Sequence, residues 1–384
     1  MERNIKCVTL LKWGGFCSLA DLLSVGVDFK HSIIDTLSSA DRIVLFGAGS
    51  GGSKVYDFLA ENVENGIGRI LCFADNNPMK WGTKMRGIDV LKPSNAFAIY
   101  QDALIVISCG EGDEIIKQLN DRFGISEDRI YIPDIGVLGK NDKEYITGHI
   151  ELLSLVYDRL CDEKSRAVFK SILEYKLTHD MSLISDIADD FRNQYFDDEL
   201  IHFGNNDVFL DCGGYIGDTI ESYISHNKGV YKKIITFEPD GDNADVIRKN
   251  YENQNVSVQE IACWSKKQEL YFDKIGSGSG KIKYASSANV SDKIVVKADS
   301  IDDICDDENV TFIKMDIEGA EYNALVGAMD TIHRCKPTLK ISAYHKQDDF
   351  LTLPFLIMSL NPDYKLYMRH YRKLSVQETV LYAL

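Results

Sequence analysis

Apolar and polar positions along the chain fall into two runs of one design, separated by a stretch of different periodicity. In the first run a short apolar segment, 42–46, leads into Gly47-Ala-Gly49-Ser-Gly51-Gly52, and helical spacing follows at Val55, Phe58 and Leu59. Ile70–Ala74 is a second apolar segment ending at Asp75, and 103–108 is a third, ending at Cys109-Gly110. A helix is predicted over 114–123, and 130–132 closes the series. Before it, residues 1–40 show helical periodicity only around 18–23 and 31–37. Strand, turn and helix in alternation predict a parallel sheet with crossover helices.

Residues 141–203 break the pattern. No glycine or proline occurs between Glu151 and Phe203, and apolar residues recur at threes and fours: Leu152, Leu153, Val156, Leu160, then Val168, Ile172 and Leu173. That spacing predicts a helical connector packed on a neighbouring unit. The second run starts at Asp207. Strands are predicted at 208–210, 234–237, 256–261, Phe312–Met315, Thr338–Ser342, 365–369 and 379–382, with helices after Gly217, over 244–251 and from Ala320. Between them, 264–298 alternates around Gly276-Ser-Gly278-Ser-Gly280 and reads as a β-hairpin with a loop. The fold class expected is α/β: two Rossmann-like doubly wound sheets joined by a helical connector, with boundaries at 1–140, 141–206 and 207–384.

Composition narrows the function. A chain of 384 residues is too long for one core. A formal charge of −16 disfavours nucleic acid, whose binders carry a basic stripe. Lys228, Lys232 and Lys233 are the nearest approach to one and read as a solvated helix end. No apolar run reaches the roughly 18–20 residues of a membrane span. Nine scattered cysteines without a C-x-x-C pair point away from zinc or dithiol chemistry and toward a reducing cytoplasm, with Cys212 and Cys263 as small core residues.

The second unit carries the clearest chemistry. Asp211-Cys-Gly213-Gly-Tyr-Ile-Gly217-Asp218-Thr219 is a glycine turn between a strand and a helix, where backbone can approach a ligand and free N–H groups point at it. Glu238 ends the next strand, 21 positions after Gly217, where a carboxylate can accept the hydroxyls of a ribose. A pyrophosphate cofactor prefers G-x-G-x-x-G; the spacing D-x-G-x-x-x-G with an acid at the strand end favours S-adenosyl-L-methionine (SAM), which has no phosphate.

Residues 207–384 resemble the FkbM-type methyltransferases. The stretches that carry the resemblance are Val208-Phe-Leu-Asp-Cys-Gly-Gly-Tyr-Ile-Gly-Asp-Thr219, Ile235-Thr-Phe-Glu-Pro-Asp240, Val296-Lys-Ala-Asp-Ser-Ile-Asp302 and, most specific, Phe312-Ile-Lys-Met-Asp-Ile-Glu-Gly-Ala-Glu321. The resemblance implies the seven-stranded class I methyltransferase fold and methyl transfer, typically to an oxygen of a glycan or natural product. Carried over, Asp211, Gly213, Gly217 and Thr219 line the methionine part of SAM, with Asp218 also among the cofactor-binding residues. Glu238 holds the ribose and Ala262 lies near adenine, although Cys263 and Trp264 depart from the family pattern and Trp264 reads as core.

Asp316 ends the fourth strand and faces the transferred methyl, so Asp316 or Glu318 would orient or deprotonate the acceptor. Glu318 otherwise reads as a helix cap, and Glu321 as solvated. His345, just past the fifth strand, is a candidate base with a near-neutral imidazole. No metal is expected, because no histidine near Asp316 and Glu318 in sequence completes a ligand set.

In the first unit Gly47, Gly49, Gly52 and Asp75 fit a nucleotide site, Asp75 lying 23 positions beyond Gly52. The stretches Val44-Leu-Phe-Gly-Ala-Gly49, Phe73-Ala-Asp75-Asn-Asn and Gly87-Ile-Asp-Val-Leu91 resemble the N-terminal Rossmann-like domain of sugar-nucleotide acetyltransferases, which implies a nucleotide-sugar pocket or a docking scaffold. The expectation is therefore a cytoplasmic SAM-dependent O-methyltransferase in glycan biosynthesis, acting on a sugar, glycan precursor or related small molecule, with a homo-oligomer left open. Two alternatives stand beside it: an NAD-dependent oxidoreductase using the first unit, and a non-catalytic glycan or nucleotide-sugar binding protein.

Overall fold

The computed structural model describes residues 19, 23, 33–109, 112–133, 142–178, 180, 182–273, 293–373 and 375–384. The first unit is a six-stranded sheet of β1 (Ile43–Phe46), β2 (Ile70–Ala74), β3 (Lys84–Met85), β4 (Ile88–Leu91), β5 (Leu104–Ile107) and β6 (Ile130–Tyr131), in the order β3-β4-β2-β1-β5-β6. All its pairings are parallel except β3–β4. Helices Ser50–Asn62, Pro93–Ile99 and Gly112–Phe123 cover it, burying Val55 and Leu59 on one side and Ala96, Phe97, Ile115 and Leu119 on the other. Burial on both faces explains why β1 reads as an unbroken apolar run.

The second unit contains β7 (Val208–Cys212), β8 (Lys233–Phe237), β9 (Val256–Gln259), β10 (Ala262–Cys263), β11 (Gln268–Asp273), β12 (Lys293–Asp299), β13 (Phe312–Met315), β14 (Thr338–Ser342), β15 (Leu366–His370) and β16 (Thr379–Ala383). Seven of them form one sheet in the order β15-β16-β14-β13-β7-β8-β9. The pairs from β14 to β9 are parallel, and β16 joins antiparallel to both β14 and β15. This is the expected doubly wound sheet, and the structure adds a reversed edge at β16. The order turns at β7 and β13, so their carboxyl ends open a crevice at the switch point.

One expectation changes in detail. The strand predicted at 256–261 stops at Gln259, and Ala262-Cys263 instead joins a small three-stranded sheet, β10-β12-β11. There β11 and β12 pair antiparallel as the predicted hairpin, whose glycine-rich loop lies outside the described residues. The connector forms the helices Asp142–Gly148, Ile150–Arg159, Glu163–Thr178 and Ser182–Ser185. It packs on edge strand β15: Leu160 bridges Leu366, and buried Arg369 binds Asp162 and Asp197 at 2.8 and 3.1 Å.

The sheet centre holds a buried ion pair. Lys314 on β13 stands opposite Asp211 on β7 in the strand register, with Nζ 3.1 Å from Asp211 Oδ1 and donating to the Gly213 carbonyl at 2.7 Å. Their side chains are 3% and 0% exposed. Removing one partner of such a pair leaves an uncompensated charge, at about 3–5 kcal/mol. Lys314→Met is accordingly expected to lower unfolding stability by about that much, and Asp211→Asn/Lys314→Met by less. Denaturant unfolding checks this; a single variant as stable as wild type contradicts it.

Candidate active site

The glycine turn after β7 takes the shape its spacing predicts. Gly213 and Gly217 have φ of 86° and 94°, and Tyr215 between them has 44°. A side-chain carbon at Gly213 would come within 2.0 Å of the Asp316 carbonyl oxygen, so glycine lets the β7 and β13 turns touch. Gly217 caps helix Asp218–His226 without any side-chain cap, leaving its first N–H groups for a ligand. Tyr251 packs against Gly217 and donates to its carbonyl at 2.8 Å.

Glu238 lies beside this turn and is 7% exposed. Its Oε2 accepts from the Tyr215 amide at 2.8 Å and its Oε1 from the Asp240 amide at 2.9 Å. Each oxygen keeps a lone pair for a ribose hydroxyl. Burial raises its pKa despite these amides. The open helix end and the two-oxygen acceptor fit the carboxylate and the ribose of SAM.

Other residues expected at the cofactor fall differently. Asp211 is fully buried beneath the turn, paired with Lys314 and accepting from Thr236 at 3.3 Å, so it shapes the site and does not line it. Thr219 is largely buried and Asp218 is exposed at the helix start. Ala262 packs in a small apolar cluster with Trp264, Leu270 and Ala320, which also bears out the core reading of Trp264.

Opposite the turn lies a second cluster. Asp316 accepts from the Tyr195 hydroxyl at 2.9 Å and the Tyr344 hydroxyl at 3.1 Å. Tyr344 also reaches Glu378 at 3.3 Å, and Ser342 lies 3.0 Å from the Tyr195 hydroxyl. Burial works against the Asp316 charge, but Lys314, His345 and the two hydroxyls outweigh it and hold its pKa below the usual carboxylate value. Burial likewise works against Lys314, yet Asp211 and Asp316 keep it protonated, its pKa raised.

The structure brings His345 to this cluster. Its Nε2 lies 3.4 Å from Asp316 and 3.9 Å from Glu318, and its Nδ1 lies 2.9 Å from Glu321. Three expectations are corrected here. Glu321 is not solvated: it is 1% exposed, and its Oε1 accepts from the Ile317 amide at 3.0 Å. A histidine does stand beside Asp316 and Glu318, delivered by the next strand in space. And His345 is not near-neutral: burial opposes its charge, but Glu321, with Asp316 and Glu318 behind it, raises its pKa to about 9. The ring is thus an imidazolium at neutral pH. Sequence reasoning missed Tyr195, Tyr344, Glu378 and Lys314, although Lys314 sits inside the most specific motif.

In the first unit Asp75 ends β2 as predicted, but its carboxylate is committed. Oδ2 accepts from the Ala48 amide and from Lys80, both at 2.8 Å, and Oδ1 from the Asn77 amide at 2.8 Å. One lone-pair site remains, against two on Glu238. Gly52 serves packing, since a side-chain carbon there would meet the Gly47 carbonyl at 2.2 Å; Gly47 has φ of 113°, and Gly49 faces open space.

Sheet order, switch-point crevice and glycine turn together define a class I methyltransferase fold. Residues 211–373 match the family model described as the methyltransferase FkbM domain, and residues 39–131 match one described as C2185-like, N-terminal. Residues 211–373 are therefore similar to an FkbM methyltransferase domain, and the open helix end and Glu238 suit SAM as the cofactor. A crystal structure of a methyltransferase FkbM from Methylobacillus flagellatus KT aligns with a TM-score of 0.68 at 22% identity, over 95% of this chain and 97% of that one, and so shares the fold. An rRNA methylase from Streptococcus thermophilus (9% identity, 54% of this chain and 93% of that one) reaches 0.30. An SAH-bound methyltransferase from Podospora anserina (9%, 64% and 95%) reaches 0.25. These last two scores are too low to add to the assignment. No curated protein matches the chain at a significant level.

A raised histidine pKa stabilises the fold fully below the unfolded value of 6.5, and that stability is lost as pH rises through about 9. In chelator-treated buffer the His345 ring is expected to titrate by NMR with a midpoint near 9. A midpoint between about 6 and 7, the free-imidazole range, contradicts the carboxylate cluster.

Proposed function

We propose that the chain is a SAM-dependent O-methyltransferase acting on a sugar, glycan precursor or related small hydroxylated molecule. The observation that carries this reading is the position of Asp316: an ionised carboxylate oriented by Tyr195 and Tyr344, on a turn touching the glycine turn. Bound at that turn, SAM supplies a methyl already activated on a sulfonium. Glu238 would hold its ribose through the two free lone pairs, and the first N–H groups of helix Asp218–His226 would hold its carboxylate.

The chain's remaining work is to place an oxygen in line with the methyl and take its proton. As the new C–O bond forms and the C–S bond breaks, the electron pair stays on sulfur and the hydroxyl proton passes to Asp316. Tyr195 and Tyr344 keep one geometry for that carboxylate. The His345 imidazolium does not act as the base; with Lys314 it balances negative charge around the acceptor. A hydroxyl is favoured over a nucleic-acid acceptor because this side of the site is lined by Asp316, Glu318, Glu321 and Glu378, which repel phosphate.

Incubation with SAM and a panel of free sugars and phenolic or aliphatic alcohols should release S-adenosylhomocysteine with at least one of them. Asp316→Asn should lower that rate by about 10²–10⁴-fold while SAM affinity is unchanged. No release with any hydroxyl acceptor, or an undiminished rate in Asp316→Asn, defeats the reading.

A further inference from the structure

Around His345 carboxylates outnumber cations. Asp316, Glu318 and Glu321 approach the ring at 3.4, 3.9 and 2.9 Å. Glu321 acts electrostatically on Asp349 at the start of helix Asp349–Leu360, and Glu378 shares the Tyr344 hydroxyl with Asp316. Of the cations near this group, Lys314 is already bound to Asp211 and the Gly213 carbonyl, and Arg372 lies 4.0 Å from Glu378. His345 is 6% exposed and Glu321 1%. Even so, Glu321 Oε2 is buried without a hydrogen-bond partner. The separations from Nε2 to Asp316 and Glu318 are also long for hydrogen bonds.

The ring faces Glu321 through Nδ1 and Asp316 and Glu318 through Nε2, and a cation would take one of these nitrogens. One ligand atom from each of Asp316, Glu321 and His345 lies within 4.8 Å of the others. Ligands bound to an ion at about 2.0–2.6 Å stand about 3 Å apart as neighbours and up to about 5 Å apart across the ion. We propose that Asp316, Glu321 and His345 form a binding site for one divalent cation, which displaces the proton of the His345 ring and takes over its charge, with Glu318 at its open rim. One imidazole among carboxylates suits Mn²⁺ or Zn²⁺ better than Mg²⁺ or Ca²⁺. Asp316 and Glu318 keep 27% and 29% of their side-chain surface exposed, so the cation has an open side toward the crevice. This deepens the acceptor-side reading above and rests on it for the cation's role, which is to hold the acceptor oxygen and ease loss of its proton.

Titration of the full chain with Mn²⁺, followed by the electron paramagnetic resonance of the free ion and with no acceptor present, tests the site. One Mn²⁺ per chain is expected, with affinity falling about tenfold or more in His345→Ala and in Glu321→Gln. Pulsed resonance spectra of the bound ion should show nitrogen coupling from the imidazole. No binding to wild type, unchanged affinity in both variants, or bound Mn²⁺ without nitrogen coupling overturns the proposal. The nitrogen coupling is read on wild type, so it decides the matter even where a variant does not fold. SAM affinity measured on the same samples reports whether the fold is intact. It is read with Mn²⁺ left out, so failure of the cation site and failure of the methyl-donor reading are separate results.

Discussion

The buried pair between Lys314 and Asp211 is the constraint on which the rest of the site depends. It joins β13 to β7 at the centre of the sheet, and the same ammonium group holds the Gly213 carbonyl in place. Its charge also lowers the pKa of Asp316 two residues on. One lysine thus fixes the cofactor turn from below and sets the ionisation of the carboxylate beside it. Two charges are buried at 3% and 0% exposure, so the geometry is nearly all-or-none: either partner alone is more costly than neither. Gly213 completes the arrangement, because any side chain there would push the two turns apart.

The two sides of the crevice are built on different physics. The cofactor side uses backbone: an uncapped helix end, glycines with positive φ, and a glutamate whose carboxylate is oriented by two amides. The acceptor side uses side chains from four separate segments: Asp316, Glu318 and Glu321 after β13, Tyr344 and His345 after β14, Glu378 before β16, and Tyr195 from the connector. Tyr195 means that the helical connector is part of the site and not merely a link to it. Three carboxylates, Asp316 among them, gather around His345, which gives the crevice two ends of different chemistry.

Much of this was legible in the sequence, for reasons that can be named. Strands buried on both faces leave apolar runs, so β1, β7, β8 and β13 were visible directly. The glycine turn and Glu238 were legible because their spacing is local to one strand–helix–strand unit. What escaped was set by pairing between distant strands. Asp211 reads as a ligand contact until β13 places Lys314 opposite it. Tyr195 meets Asp316 across 121 positions. Glu321 looks like a solvated first-turn acid until His345 arrives from the next strand. The short β10 was hidden for a related reason: Ala262-Cys263 takes its partner from β12, across the hairpin.

The central claim is that Glu238 and the Gly213–Gly217 turn bind SAM. Isothermal calorimetry of the full chain with SAM tests it most directly. The account predicts one SAM per chain, with affinity reduced about tenfold or more in Glu238→Ala, as expected for the loss of hydrogen bonds to a charged group. Absence of binding to wild type, or equal affinity in Glu238→Ala, would contradict it.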